Sequence, residues 1–361
     1  MYKRQGFEAV FRERGEIVGW ADQVLALPAV EEQPGADELL GTAGLADWGY
    51  GRFDEGMARA ERAVELHRRR GTRLTPDVAA ALPLHRSLRG DVAGAVEVMR
   101  GHIAEAERDG VAFAEVHLRI CEAMGLAYAG VPAADEVLVG AEILSARLGC
   151  PLLRAIAAFT RTIVVLDRRP EEAVGHARRC LELAASVSAT WFLTAGTNYL
   201  VAALARSASP GDAVIHLRAG LGRQRNGGTV QSVANTIRNA VVILDRSDRA
   251  ERAVPLIGWL EVNRPSIPGT PGMRDHPAAL GRDLRRRLGD ATYETERVRG
   301  ADATTAEVID LALDALTELT ELTEPAELPG TAEPTDAAEP TEAVEPAQVE
   351  PGPRFGVVSG A

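Results

Sequence analysis

Apolar residues recur at spacings of three and four along most of this chain, the period of an amphipathic helix. The stripe is cleanest at Val230, Val233, Ile237, Ala240, Val241 and Leu244. It returns at Met57, Ala60 and Val64, and at Ala95, Met99, Ile103 and Ala106. No stretch sustains the alternation of a half-buried strand, so the chain is expected to be all-α. Short turns built on Gly, Asp and Pro punctuate the stripes. They fall at Gly49-Tyr50-Gly51, Gly90-Asp91, Gly130-Val131-Pro132, Arg169-Pro170, Ser209-Pro210-Gly211-Asp212 and 245–248.

The punctuation is periodic. Six helices open on equivalent positions, Met57, Ala95, Asp135, Ala173, Ala213 and Ala253, at intervals of 38, 40, 38, 40 and 40 residues. A fixed period of this size marks stacked helical repeats. Six helix pairs are expected, at about 37–71, 76–110, 112–149, 151–187, 190–227 and 229–263. Asp54 is a candidate N-cap, and Pro170 suits a first helical turn followed by Glu171 and Glu172. The predicted architecture is a right-handed α-solenoid of tetratricopeptide-like pairs over 37–264. Ahead of it, 1–36 holds a partial repeat, a helix at 7–28 and a loop. Behind it, 265–319 opens on a Pro/Gly-rich loop, Pro265 to Pro277, and continues in capping helices at about 277–288, 290–298 and 304–319.

Composition sharpens this picture. Hydrophobic residues are 46% of the 361 and aromatics only 4%, so the expected core is Ala, Leu, Val and Ile. Net charge is −12, but the segment from Glu318 onward carries ten acids and one Arg. The body is therefore close to neutral, which argues against a nucleic-acid surface. Residues 320–361 are dominated by Glu, Pro, Thr and Ala and are expected to be a disordered acidic tail. No apolar run reaches the ~18 residues of a membrane span, and the first residues lead into charged helix rather than a leader core. Cys121, Cys150 and Cys180 form no CxxC pair. They read as small core residues of a cytoplasmic protein.

Candidate chemistry is sparse. Lys3 is the sole lysine, so no phosphate-binding P-loop exists, and Gly220-Leu221-Gly222 with Gly227-Gly228 lacks dinucleotide spacing. The histidines form no HExxH. His176 and Cys180 share a helix face at i, i+4 but have no second pair. No nucleophile elbow occurs. No catalytic residue, metal ligand or cofactor is assigned. The clusters Arg68-Arg69-Arg70 and Arg285-Arg286-Arg287 fall in last helical turns, where cations are stabilised, and are also candidate docking points for the acidic tail.

Several segments carry a resemblance: Ala253-Val-Pro-Leu-Ile-Gly-Trp-Leu260, Leu288-Gly-Asp-Ala-Thr-Tyr293 and Gly300-Ala-Asp-Ala-Thr-Thr-Ala-Glu-Val-Ile309. Together with Glu38-Leu-Leu-Gly41, Trp48 and Gly51-Arg-Phe-Asp54, they resemble the C-terminal tetratricopeptide-like region of large actinobacterial ATP-binding transcriptional regulators of the MalT and LuxR type, and of related adenylate/guanylate cyclases. The resemblance covers about 16–317. It implies a helical-repeat body; the family's nucleotide-binding, cyclase and DNA-binding parts have no counterpart here, so none of those activities is carried over to a residue of this chain.

The expected function is a non-catalytic interaction or sensor module of a signalling or transcriptional regulator. A protein or peptide is the expected partner, with a small-molecule inducer as the alternative ligand, and neither nucleic acid nor membrane is expected. The rival reading is a truncated or split part of an ATP-dependent regulator or cyclase, which an exposed apolar face on the 7–28 helix would favour. The first helix of each pair is expected to line a concave groove. Candidate partner-binding residues are Asn198, Gln231, Asn235, Arg238 and Asn239, which also fit plain solvated faces.

Overall fold

The computed structural model describes residues 15–50, 52–207, 210–225, 230–247, 249–263 and 269–321. Among these residues there are sixteen α-helices and no strand. They are α1 (Gly15–Leu25), α2 (Ala36–Tyr50), α3 (Phe53–Arg70), α4 (Pro76–Leu88), α5 (Val92–Arg108), α6 (Ala112–Tyr128), α7 (Ala134–Leu148) and α8 (Pro151–Leu166). There follow α9 (Pro170–Ser186), α10 (Thr190–Arg206), α11 (Pro210–Gln224), α12 (Val230–Asp245), α13 (Val254–Val262), α14 (Pro271–Leu288), α15 (Asp290–Ala301) and α16 (Thr305–Glu321). The chain divides into two units after Thr323. The second unit, and with it nearly all of the expected acidic tail, lies outside the described residues. Thr320 and Glu321, assigned to the tail on sequence, belong to α16.

The helix ends follow local chemistry. Thr75 caps α4 through its hydroxyl, with Pro76 at the first helical position. Asp91 Oδ1 accepts from Gly94 N at 2.9 Å and opens α5. Gly71 and Gly149 close α3 and α7 in the left-handed region, at φ 61° and 63°, where a Cβ is unfavourable. Asp54 is not the N-cap of α3. The helix starts at Phe53 with Arg52 in the cap position, leaving Asp54 in the first turn. A second adjustment concerns the repeat register. Asp135 is exposed and ion-pairs with Arg161, whereas Ala134 is buried. Ala134 is thus the equivalent of Ala95 and Ala173, and the five intervals even out to 38, 39, 39, 40 and 40 residues.

The two helices of each pair occupy different layers. The first helices, α2, α4, α6, α8, α10 and α12, pack in succession each on the one before or after it as well as on their neighbours in sequence. The second helices, α3, α5, α7 and α9, pack between their own first helix and the following one. Burial matches. Second helix α9 buries a single face, Ala173, Ala177, Cys180 and Ala184. First helix α6 buries every residue from Val116 to Met124 except Arg119, including His117 and Glu122. A helix apolar on all sides is a core helix, and here the core is the inner layer.

The last helices close the array. On α16, Val308, Ile309, Ala312, Ala315 and Leu316 are buried across α11, α12 and α13. α13 and α15 cross at backbone contact: a Cβ on Gly258 would strike the carbonyl of Arg297, and one on Gly300 the carbonyl of Pro255. The segment expected to be a loop as far as Pro277 is helical from Pro271, because Thr270 and Pro271 form an N-cap and first-turn pair. α14 then reaches back over earlier repeats. Asp167, at the end of α8, accepts from Thr270 Oγ1 at 2.7 Å and from Gly272 N at 3.0 Å. Arg274 donates to the carbonyl of Tyr128, the last residue of α6, at 2.6 Å.

Two outcomes follow from these contacts. Gly258→Ala and Gly300→Ala should each lower the urea midpoint, costing about 1–3 kcal/mol by overpacking, with the denaturant slope unchanged. Asp167→Ala should leave the repeats folded but raise amide hydrogen exchange through the first turns of α14, since it removes both the Thr270 and the Gly272 contact.

Candidate binding cavity in the inner helix layer

The chain is poor in aromatics, yet eight of the ten between residues 36 and 263 lie on first helices. The structure brings several of them together. Trp48 of the first pair meets Trp191 of the fifth with ring centroids 5.3 Å apart. Phe159 stands edge-on to Trp191, Phe192 and Tyr199 at 5.7, 5.6 and 5.1 Å. The hydroxyls of Tyr199 and Tyr128 lie 3.3 Å apart. Such pairs each add about 0.5–1.5 kcal/mol beyond area burial. They close the inner faces of the first five pairs upon each other, so this stretch of the inner layer holds a core rather than an open groove.

Inside that core is a cavity of about 30 Å³. Its wall draws on five first helices: Trp48 on α2, Leu84 on α4, His117 and Met124 on α6, Ile156 on α8 and Trp191 on α10. The cavity surface is apolar throughout. Trp48 Nε1 and His117 Nδ1 are both buried without a hydrogen-bond partner. Burial pushes the His117 imidazole down to about 4, so it is neutral at pH 7. Neighbouring histidines are accommodated differently. His85 Nε2 donates to the Gly44 carbonyl at 2.8 Å, and His102 Nδ1 lies 3.0 Å from the Ala79 carbonyl.

The residues proposed on sequence for partner binding fall elsewhere, where α10, α12 and the start of α14 meet. Asn235, Arg238 and Asn239 are buried, and Asn198 is half-buried. Asn198 accepts from Thr236 Oγ1 at 3.0 Å, and its carbonyl accepts from Asn239 Nδ2 at 2.8 Å. Arg238 Nη2 donates to Asn235 Oδ1 at 3.3 Å, and Gly269 passes so close that a Cβ there would lie 2.8 Å from Nη1. Four of the five therefore sit in one internal polar seam. Gln231 begins the same helix, but its side chain lies outside the described residues.

The other sequence candidates stay apart. His176 is half-buried beside buried Cys180, and no group of three potential metal ligands occurs among the described residues. Burial pushes the Cys121 and Cys180 thiols up to about 12, away from thiolate chemistry at neutral pH. Arg70 donates to the Gln33 and Glu31 carbonyls. Arg285 ion-pairs with Glu294 and stacks over the Tyr293 ring at 5.0 Å. Arg286 and Arg287 both face Asp283.

Two apolar stretches are open to solvent. On α7, Val139 and Ile143 are exposed next to a groove of about 460 Å³ that runs between α5, α6 and α7. On α1, Trp20 and Val24 are exposed, Trp20 by 59%, and Leu27 just beyond the helix is exposed too. The opposite side of α1 is pinned to the first pair. Asp22 is 2.9 Å from Arg52 and 2.7 Å from Arg59, and both arginines also hold the fully buried Asp47. Residues 7–14 of the helix expected at 7–28 lie outside the described residues.

Sequence spacing did not single out Trp48 or His117. The one signal pointing to them is the concentration of scarce aromatics on first helices. The burial of His117 has a measurable consequence. Unfolded, it takes up a proton near pH 6.5; folded, only near pH 4. Its contribution is therefore complete above about pH 6.5 and is lost as the pH falls toward 4, on the order of 3 kcal/mol in all. Denaturant titrations between pH 4 and 7 should show this slope, and His117→Leu should flatten it by about one proton. A scan of the chain against protein-family models and a search among curated proteins find no match.

Proposed function

We propose that the chain is a non-catalytic helical-repeat module that recognises a partner or an inducer within a signalling or transcriptional regulator. The observation that carries this reading is the inner layer. Five consecutive repeats converge on one aromatic core, so an occupant or a displacement there acts on all five first helices at once. The reading is supported by the burial of the Cys121 and Cys180 thiols and of His117, which holds the thiols protonated and the imidazole neutral and suits packing better than acid–base or nucleophilic work. The apolar stripe on α7 beside its groove is the kind of open surface a protein partner uses.

A second reading has its own observation. Trp20 and Val24 on α1, with Leu27 just beyond it, form an exposed apolar stripe of the kind on which a further helix packs. That favours a chain working with a further helical-repeat segment, as in a split ATP-dependent regulator or cyclase.

A photo-crosslinking amino acid placed at Ile143 or at Val24 separates the two. A defined protein adduct at Ile143 in the producing cell is the expected result for the interaction module. An adduct at Val24 to a nucleotide-binding protein would favour the second reading. Multiple-turnover hydrolysis of ATP or of simple esters by the purified chain would overturn the non-catalytic assignment.

A further inference from the structure

We propose that the outward face of α7 is a self-association surface, on which α7 of a second copy of this chain lies antiparallel about a two-fold axis. The inference names the partner for the α7 surface of the interaction-module reading and rests on that reading. α7 is held from behind by the first helices α6 and α8, and its buried residues are Ala134, Leu138, Ala141 and Ser145. Its opposite face carries Glu136, Val139, Gly140, Ile143 and Arg147, all exposed. Glu136, Gly140, Ile143 and Arg147 fall at i, i+4, i+7 and i+11, one stripe along the helix. The neighbouring repeats treat the same positions differently. Counted from the buried Ala95, Ala134 and Ala173, the counterparts of Val139 are Arg100 and Arg178, and those of Ile143 are Ala104 and Glu182. Where α5 and α9 place Arg100, Arg178 and Glu182 in water, α7 places two β-branched apolar side chains, Val139 47% and Ile143 50% exposed.

The stripe complements a copy of itself. In an antiparallel pair with the axis between Ala141 and Glu142, Ile143 of each copy meets Gly140 of the other, Val139 meets the half-buried Leu144, and Glu136 meets Arg147. No atom lies within 4 Å of where a Cβ on Gly140 would stand, so the stripe has a notch beside Val139, and the second copy's isoleucine fills it. On the same helix Asp135 and Glu142 are both taken up by Arg161. Glu136 and Arg147 have no ion-pair partner among the described residues. Antiparallel pairing gives each of them an opposite charge, whereas a parallel pair would set Glu136 on Glu136 and Arg147 on Arg147, so charge fixes the direction. A two-fold contact requires this reciprocity, each residue meeting one that meets it in return. One helix from each copy is a small contact, below the roughly 1,200 Å² buried in stable complexes, so the dimer is concentration-dependent rather than obligate.

Sedimentation velocity of the full chain should show monomer passing to dimer as the concentration rises toward roughly 100 μM. Gly140→Gln fills the notch with a better helix former whose Cβ meets open space in its own chain, and should weaken the dimer about tenfold. Glu136→Arg or Arg147→Glu alone sets like charges opposite each other at both ends of the contact and should weaken it about three- to tenfold. Glu136→Arg combined with Arg147→Glu restores opposite charges across the axis and should return most of the loss, a rescue that damage to the fold of α7 would not give. Trp20→Glu, on the other exposed apolar stretch, should leave the dimer as it is. A chain that stays monomeric throughout overturns the proposal, as does a dimer indifferent to Gly140→Gln or one lost with Trp20→Glu. A photo-crosslinker at Ile143 separates the dimer from the broader module reading. An adduct to another protein from a monomeric chain overturns the dimer and leaves the interaction module standing; a dimer that turns over ATP does the reverse.

Discussion

Every first helix of this array is enclosed by other helices. α6 touches its own pair partner α7, the preceding second helix α5, and the first helices on either side, α4 and α8. Enclosure of that kind permits two sorts of residue. Side chains must be apolar around the whole circumference, or polar with a partner supplied from another element. Where helices cross most closely they must also be small, which is why Ala79, Ala80, Ala123, Ala155, Ala202 and Ala240 are fully buried. The second helices meet a weaker demand, since one face is open to water. The difference between the layers, rather than any single contact, sets where chemistry is available.

Polar groups in the inner layer show how the demand is met. Arg161 is only 8% exposed and holds Glu142 through both Nε and Nη2 at 3.0 and 2.7 Å, tying α8 to the preceding second helix. In the outer layer, His67 on α3 meets Glu105 on α5 at 2.9 Å, joining the first two pairs. Asn239 and Thr236 bond to Asn198 across neighbouring repeats. Each link runs between repeats, so the polar groups add register to a core that hydrophobic burial alone leaves nonspecific. Against this pattern, Trp48 Nε1, His85 Nδ1, His117 Nδ1, Thr160 Oγ1 and Asn239 Oδ1 are buried on first helices without a partner.

Long-range closure makes the repeats more than a row of nearest neighbours. Trp48 and Trp191 meet across four repeats, and α14 returns to the ends of α6 and α8 through Arg274, Thr270 and Gly272. A strictly linear array could fray from either end. Here the first pair is packed on the fifth, and the cap is bonded to the third and fourth. Disturbance of the inner core therefore reaches the C-terminal helices through direct contacts.

The sequence by itself determined the helices, their pairing and their period. Those depend on local signals: apolar residues at three- and four-residue spacing, Pro at first turns, and Gly where the chain needs a left-handed residue, as at Gly71 and Gly149. Its errors were local too. Asp135 stood for Ala134 because a single repeat drifts by one residue, and α14 started earlier than Pro277 because Thr270-Pro271 reads as a loop until its capping bond is seen. What only the tertiary structure decided is which residues face each other across the inner layer. Asn235, Arg238 and Asn239 read as groove-lining residues on a helix wheel, yet α10 and the Gly269 turn cover them. Trp48 and Trp191, far apart in sequence, meet. Periodicity specifies the face on which a residue lies. The partner opposite that face depends on how tightly successive pairs curve, a sum of small rotations at every helix crossing that no local stretch of sequence encodes.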